Sequence, residues 1–332
     1  MNLAIDNTRV NEPRDYSPAE DDDPFEPSSM LLTVSADLAG LRLDQALARL
    51  FPEHSRSRLQ AWLKDGRVRQ DGAAAEAKRK VWGGERLEVD VAPPPEAMAA
   101  LPEDIPLDVV FEDATLIVIN KPAGLVVHPG SGNWTGTLLN ALLHHAPELA
   151  GVPRAGIVHR LDKETSGLLV VARTLEAQTD LVRQLQARTV KRHYHALVHG
   201  AIGRAGVVTA PIGRHPQHRT RMAVVPGGRP AVTRYAVCER LARCTLVECQ
   251  LETGRTHQIR VHMAHVGHPL VGDPVYGVRR CGDALLDAFP RQALHAFRLG
   301  LIHPSSRVEM EWSVPMAADF AALLRSLGSP SW

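Results

Sequence analysis

The stretch AGIVHRLDKETSGLLVVA, residues 155–172, sets a charged segment between two apolar ends. The apolar pair Ile157 and Val158 precedes the charges and an apolar run follows them, so the segment is expected to emerge from a buried sheet. Gly156 and Gly167 would let the backbone bend or approach a neighbour closely on both sides. A charged turn of no special role is the alternative. The pattern favours polar side chains held at the mouth of a rigid scaffold.

Asp162 is the acid in this segment that we expect to carry chemistry. Arg160 and Lys163 flank it, and nearby positive charge keeps a partly buried carboxylate ionised. Such a carboxylate can act as a nucleophile or as a base, and the sequence leaves both open. A glycosidase would need two carboxylates across a sugar. Glu164 would point the other way along an extended turn, so one acid must suffice.

A second polar block, LETGRTHQIRVHMAHVGHPLVGDPVYG, spans residues 251–277. It predicts a helix that Thr256 opens, with Ile259, Met263 and Val266 turned to the core. Arg255 stands at the start of this helix and Arg260 follows further along it. An arginine placed there could pair bidentately with Asp162 or with an RNA phosphate.

The four histidines of this block invite a zinc interpretation, which we consider and reject. Neither H-E-x-x-H nor H-x-x-E-H spacing is present, and no acid lies among the histidines to complete a site. The sequence therefore predicts no metal.

Two further stretches combine positive charge with features that suit RNA. Tyr194 lies beside Lys191 and Arg192 in a predicted strand, where a half-buried structural ring is the simplest interpretation and stacking on an unpaired base is the functional one. The stretch PIGRHPQHRTRMAVVPGGRP predicts a long loop or hairpin, in which Arg219 and Arg221 are expected to face RNA.

The N-terminal part of the chain divides by composition. Residues 1–30 carry a formal charge of −6 and lack apolar periodicity, which predicts a solvated tail, and the remainder carries +7. Residues 31–92 predict a helix pair followed by strands, with a basic side that includes Arg56, Arg58, Lys64 and Arg67. Residues 93–106, rich in proline, predict a linker to a larger domain of residues 107–332.

The composition also bears on the compartment. The chain has no apolar run long enough to cross a membrane, and its first residues lack the pattern of a signal peptide. Its four cysteines form no C-x-x-C pair. We therefore expect a cytoplasmic protein with reduced thiols.

With these residues assembled, the sequence resembles two known groups of proteins. The stretch RLDQALARLFPEHSRSRLQAWLKDGRVRQDG resembles the S4-like RNA-binding domain. The blocks GIVHRLDKETSGLLVVA, NKPAGLVVHPG, RQALHAFRLGLIHP and residues 251–277 resemble the signature blocks of the RluA family of RNA pseudouridine synthases. The resemblance covers about residues 31–325 and leaves the acidic extension unassigned.

This resemblance implies a fold and a set of roles. The fold would be α+β: a small S4-like domain, then a catalytic domain with a mixed, mostly antiparallel sheet and flanking helices around a central cleft. Asp162 would be the catalytic aspartate, Tyr194 the active-site tyrosine and Arg260 the basic partner of Asp162. Arg160 would help to fill the space left by the displaced nucleotide, and Leu294 would contact the base. The expected substrate-binding set is completed by His159, Lys121 and Arg255.

The resemblance further implies a reaction without a cofactor, carried out by a monomer on 23S ribosomal RNA or a large-subunit precursor. The helix 69 stem-loop would hold the target uridines. Three alternatives remain open: a synthase for other 23S or transfer RNA uridines, a non-catalytic RNA-binding assembly factor and, more remotely, a metal-dependent hydrolase.

Overall fold

The computed structural model describes residues 28–91, 99–130 and 132–329. The chain divides into two compact units, Met1–Pro94 and Pro95–Trp332. Most of the predicted acidic tail and the first part of the predicted linker lie outside the described residues. Residues 28–30, placed in the tail from sequence, instead open the first strand, because their backbone pairs with residues 89–91.

The first unit is a four-stranded antiparallel sheet with two helices. The sheet order is β1-β4-β2-β3. The elements are β1 (Ser28–Thr33), α1 (Leu43–Leu50), α2 (Arg56–Lys64), β2 (Val68–Gln70), β3 (Ala73–Ala74) and β4 (Arg86–Val91). The predicted helix pair is confirmed. Ser55 caps α2 by accepting a hydrogen bond from the Arg58 backbone N–H, and the helix ends at Lys64 with Asp65 as its C-cap.

The second unit contains the larger sheet and five α-helices among the described residues. The strands are β5 (Val109–Glu112), β6 (Leu116–Lys121), β7 (Ser166–Ala172), β8 (Lys191–His199), β9 (Gly206–Thr209), β10 (Ile212–Arg214), β11 (Met222–Val224), β12 (Val232–Arg240), β13 (Cys244–Leu251), β14 (Leu294–Ile302) and β15 (Glu309–Ser313). The helices are α3 (Leu138–His145), α4 (Leu175–Gln186), α5 (Gln258–His265), α6 (Ala284–Ala288) and α7 (Ala318–Ser326).

Nine of these strands form one mixed sheet, and β10 and β11 form a separate hairpin. The order is β5-β6-β7-β14-β8-β13-β12-β9, with β15 paired to β14. Among the described strands only β7 and β14 pair in parallel; the other pairs are antiparallel. The predicted mixed, mostly antiparallel sheet is therefore confirmed.

Both faces of the sheet are covered near β7. Leu169 and Val171 pack on one face with side chains of α3, while Leu168 and Val170 pack on the other with side chains of α4. All seven residues of β7 are consequently buried. Burial on both faces explains why this strand is a continuous apolar run rather than an alternating one.

Two glycines hold the polar segment of residues 157–165 close to the sheet. A Cβ on Gly167 would lie 2.2 Å from the Ala296 carbonyl oxygen, and one on Gly156 would lie 1.8 Å from that of Ala172. Both also have a positive φ, at +110° and +74°. The predicted close approach is confirmed on both sides of the segment.

Two predictions for α5 were wrong: where the helix begins and the burial of Val266. The helix begins at Gln258, and its N-cap is His257 in the left-handed conformation, rather than opening at Thr256. Ile259 and Met263 are buried as predicted, but Val266 follows the helix and is 37% exposed. No helix among the described residues is long and apolar enough to cross a membrane.

Candidate active site

Asp162 lies in the segment that leads into β7, with its side chain 15% exposed. Its backbone carbonyl accepts a hydrogen bond from the Thr165 N–H at 3.0 Å, which closes a turn around the carboxylate. The next carbonyl, that of Lys163, accepts from the Gly124 N–H at 2.9 Å. The turn is thus fixed by its own hydrogen bond and by a second hydrogen bond from the neighbouring loop that contains Gly124.

Arg260, on α5, joins Asp162 to a second acid. Its Nη1 donates to Asp162 Oδ2 at 2.9 Å. Its Nε and Nη2 donate to Asp273 Oδ2 and Oδ1 at 2.7 and 2.9 Å. The bidentate pair that the sequence suggested for Asp162 is therefore made with Asp273, and Asp162 receives the remaining donor. Asp162 Oδ1 receives no hydrogen bond from Arg260.

The opposite charges of Arg260 and the two acids, Asp162 and Asp273, stabilise one another. Burial opposes the charge on Arg260, but the hydrogen bonds and negative charge of Asp273, with those of Asp162, outweigh it and raise the pKa of Arg260. Burial likewise opposes the charge on Asp273, yet Arg260 and the backbone N–H groups of Tyr276 and Val275 lower the pKa of Asp273. Both groups are thus held ionised beside Asp162.

His257 and Tyr276 complete the wall behind the acid. His257 Nε2 lies 3.8 Å from Asp162 Oδ1, and its Nδ1 is 2.9 Å from the Tyr276 hydroxyl. The same hydroxyl accepts from the Met222 N–H at 2.9 Å, which ties the β10–β11 hairpin to the site. The guanidinium of Arg260 lies 5.1 Å from the Tyr276 ring centroid.

A cleft of about 1030 Å³ opens in front of Asp162. Its lining includes Tyr194, His159, Arg160 and Arg255 from the sequence-based set. A smaller cavity of about 50 Å³ adjoins it and brings together Asp162, Tyr194, Arg260 and Leu294. The larger space is at the upper end of what drug-sized ligands occupy, so it has room for more than one nucleobase.

Tyr194 and Leu294 come from neighbouring strands at the centre of the sheet. Both are nearly buried, at 5% and 4% exposure. Burial raises the pKa of Tyr194, so the phenol is neutral across the physiological range. The ring and the leucine offer apolar surface beside a single carboxylate.

His159 has a fixed protonation state. Its Nε2 accepts a hydrogen bond from the Val170 N–H at 3.2 Å, which leaves the proton on Nδ1. Burial, helped by the charge of Arg192, lowers the pKa of His159 to about 3. The ring therefore enters the cleft wall as a neutral donor rather than as a cation.

Lys121 is placed differently from its predicted substrate-binding role. The side chain is fully buried, and Nζ donates to the carbonyl oxygens of Pro122, Leu125 and Lys163 at 2.7, 2.9 and 3.0 Å. Burial lowers its pKa to about 7. Lys121 supports the segment that carries Asp162 through the Lys163 carbonyl and is not among the residues that line the cleft, which is a structural position rather than the predicted substrate-binding one.

The basic residues predicted to bind RNA fall in both units. Arg219 and Arg221 are exposed on the turn between β10 and β11. In the first unit, Arg56 and Lys64 are exposed on α2, whereas Arg58 lies over the Trp62 ring at 5.3 Å and Arg67 pairs with Asp90 at 2.8 Å.

Sequence comparison identifies both units. The sequence model of the S4 domain matches residues 41–87, and that of RNA pseudouridylate synthase matches residues 115–265. Ribosomal large subunit pseudouridine synthase D of Nitrosomonas europaea is 61% identical over 299 residues, which cover 89% of this chain and 87% of the relative. The chain belongs to the RNA pseudouridylate synthase family. Its activity is that of an RNA pseudouridine synthase.

Further relatives and solved structures agree with the family. The enzymes of the same name from Pseudomonas aeruginosa and Escherichia coli K12 are 54% and 53% identical over 89% and 88% of this synthase, and 94% and 92% of their own lengths. Human RNA pseudouridylate synthase domain containing 4 superposes with a TM-score of 0.54 at 28% identity, over 66% of this synthase and 92% of the human chain.

Sequence reasoning missed three side chains that organise the site of this synthase. Asp273 holds Arg260, and His257 faces Asp162. Gln258 accepts from Thr253 and the Arg255 N–H and donates to β12, which fixes the start of α5. A signal for Asp273 was present, since it is the one acid between residues 253 and 277 and a buried arginine needs a carboxylate.

Proposed function

We propose that this synthase converts uridines of 23S ribosomal RNA, or of a large-subunit precursor, to pseudouridine, and that its targets lie in the helix 69 stem-loop. The observation that carries the chemistry is the single carboxylate of Asp162, held by Arg260 at the floor of a cleft beside Tyr194. The substrate is supported by relatives named ribosomal large subunit pseudouridine synthase D.

The target uridine must leave the RNA stack to reach Asp162, which costs a few kcal/mol. Tyr194 offsets this cost by stacking, Leu294 contacts the base and exposed Arg160 takes up the space that the nucleotide leaves. Asp162 assists cleavage of the bond from C1′ to N1, as nucleophile or as base. The uracil turns in the cavity, C5 joins C1′, and the C5 proton is lost while N1 regains one. The net change is an isomerisation without a redox step.

RNA is held mainly through its phosphates. We assign this role to exposed Arg56 and Lys64 of α2 and to Arg219 and Arg221 of the hairpin, with Arg58 and Arg67 adding positive charge. The β10–β11 hairpin contacts Tyr276 through Met222, so RNA bound at the hairpin lies next to Tyr276 and His257, beside Asp162.

Mapping of pseudouridine in ribosomal RNA, in cells with and without the gene, tests the substrate. Loss of pseudouridine from helix 69 alone is the expected result. If pseudouridine is lost at other positions instead, the protein is still a pseudouridine synthase, but its target is not helix 69. Binding of 23S RNA without release of tritium from C5-labelled uridine would instead identify a non-catalytic assembly factor.

We further propose that the synthase works as a cytoplasmic monomer without a metal. Light scattering in solution checks the monomer, and cell fractionation checks the compartment. Two histidines of the block at residues 251–277 have protein partners: His262, in α5, contacts Thr233 and Ala210, and His257, at the N-cap of α5, contacts Tyr276. Tritium release should therefore persist in a strong chelator, whereas loss that zinc restores would indicate a metal-dependent enzyme.

A further inference from the structure

Arg192 is a buried arginine in the wall of the cleft. It lies on β8 two residues before Tyr194, so both side chains point to the same face of the sheet. Arg192 is only 7% exposed and lines the same cleft as Asp162. Its Nε is buried without a hydrogen-bond partner, and its guanidinium forms no ion pair with any residue that the structure describes.

A buried arginine without a counter-ion lowers the stability of the protein when no RNA is bound. A guanidinium stays charged at any pH at which the protein is folded, although burial lowers the pKa of Arg192. A buried charge without a counter-ion destabilises the fold unless a group from outside completes it. The position therefore indicates a missing anion.

The acids nearest the cleft are already engaged. Asp162 is held by Arg260, and Glu252 accepts from Arg234 Nε at 2.7 Å. His159, whose pKa is lowered partly by the charge of Arg192, is neutral and offers no compensation. The anion that Arg192 lacks is thus not supplied by the acids that line the cleft.

The chain leaves space for this guanidinium. A Cβ on Gly254 would lie 2.7 Å from Arg192 Nη1, so any larger residue there would push the arginine from its position. Gly254 also lines the cleft, directly before Arg255. The absence of a side chain at residue 254 thus leaves room for the Arg192 guanidinium in the wall of the cleft.

We propose that Arg192 binds a phosphodiester group directly attached to the target uridine. The planar fork of the guanidinium suits two phosphate oxygens at once. Because Tyr194 lies on the same face two residues away, the phosphate is fixed while the base stacks on the ring. The inference rests on RNA pseudouridine synthase activity and is independent of which ribosomal uridine is the target.

RNA in which one phosphate is replaced by an uncharged methylphosphonate tests the contact directly. The probe is a short RNA that the wild-type enzyme modifies, made with a methylphosphonate on either the 5′ or the 3′ side of the target uridine. One of the two substitutions should lower wild-type kcat/KM about 10- to 100-fold, the usual size of a charge-assisted contact. The Arg192→Gln variant should lose a similar factor on unmodified RNA and show no further loss on the methylphosphonate.

The matched control is Arg183→Gln, which removes an exposed arginine on α4 that does not line the cleft. It should remain as sensitive to the methylphosphonate as the wild type. The proposal is overturned if Arg192→Gln keeps the full sensitivity, or if the wild type tolerates both neutral phosphates.

Thermal melting without RNA separates binding from a structural role. Arg192→Met removes the unpaired buried charge and keeps much of the apolar stem, so the melting temperature should stay the same or rise. A lower melting temperature would assign Arg192 to the stability of the fold and overturn the proposal.

Discussion

Arg260 reaches Asp162 across 98 positions of sequence and donates to its Oδ2 at 2.9 Å. The arginine has no freedom to turn away, because Asp273 holds two of its other donors. The carboxylate that the reaction needs is consequently presented in one orientation, with Oδ1 facing His257 at 3.8 Å.

Asp162→Asn should abolish turnover while leaving the fold intact. The substitution preserves size but deletes the nucleophile or base, so the single-turnover rate of tritium release should fall by several orders of magnitude. RNA affinity, measured by filter binding, should be kept or slightly increased because a negative charge facing RNA is removed. Glu164→Gln, two residues away, is the control and should remain active. A folded Asp162→Asn enzyme with near wild-type rate would remove Asp162 from the chemistry.

Arg260→Lys should be far from conservative. Lysine keeps the positive charge but has no planar fork, so it cannot hold both Asp162 and Asp273. We expect at least a ~100-fold fall in kcat with little change in RNA affinity. Arg183→Lys on the exposed face of α4 is the control, with unchanged kinetics. Wild-type turnover in Arg260→Lys would show that the orientation of Asp162 does not depend on the arginine.

Asp273→Asn should reduce both stability and turnover. The Asp273 side chain is fully buried and also accepts from the N–H groups of Val275 and Tyr276. The amide removes the buried negative charge that holds two of the Arg260 donors and leaves only Asp162 as a counter-ion, so the melting temperature should fall by roughly 4 to 10 °C. Asp273 positions Arg260 rather than contacting substrate, so kcat should fall more than KM rises. A purely structural role would lower the melting temperature and leave kcat of the folded enzyme unchanged.

Lys121→Met should change how stability depends on pH. Burial lowers the folded pKa of Lys121 to about 7, from an ordinary lysine value of 10.5. Between these values the unfolded chain holds a proton that the folded chain lacks, so this lysine makes the wild type more stable as pH rises. The free energy of unfolding of the wild type, relative to Lys121→Met, should increase from pH 7 towards pH 10 and be flat below pH 7. Urea unfolding at several pH values measures it; a difference that is constant throughout would contradict the assigned pKa.

Removing charge from α2 should weaken RNA binding without affecting chemistry. The double variant Arg56→Gln and Lys64→Gln changes exposed residues only. If both contact phosphates, the slope of log affinity against log salt should become shallower by about 1.5, with an unchanged single-turnover rate at saturating enzyme. An equal change of charge at Arg183 and Arg325 is the control. An unchanged slope would mean that this face of α2 is only solvated surface.

Sequence patterns predicted most of what local periodicity and turn chemistry determine. The helix pair of the first unit, the continuous apolar strand β7 and the close approaches at Gly156 and Gly167 follow from such patterns, and the structure confirms them. Asp162 was singled out because charge interrupts an apolar run. The contact between Arg260 and Asp162 was raised as one possibility and implied by the family resemblance, and the structure contains it. The choice of Asp273 as the bidentate partner was missed, because periodicity alone does not show which acid a buried arginine meets.

Lys121 and Val266 illustrate this limit. The family resemblance implied a substrate contact for Lys121, but three backbone carbonyl groups surround its amine. Val266 fitted the helical period, yet the helix ends at His265 and its side chain is exposed. At Lys121 a role implied by resemblance met a buried position, and at Val266 the end of the helix overrode a local periodic signal.

Strand β14 follows β7 and β8 by about 100 residues in sequence and yet lies between them, at the centre of the sheet. Asp162 is attached to the half that ends in β7, and Tyr194 belongs to the half that begins with β8. A nascent chain that has just passed Asp273 already contains Asp162, Tyr194, Arg260 and their partner acid. It lacks β14, which pairs with both β7 and β8 and joins the two halves of the sheet. Asp162 and Tyr194 are therefore synthesised before the strand that fixes their relative positions.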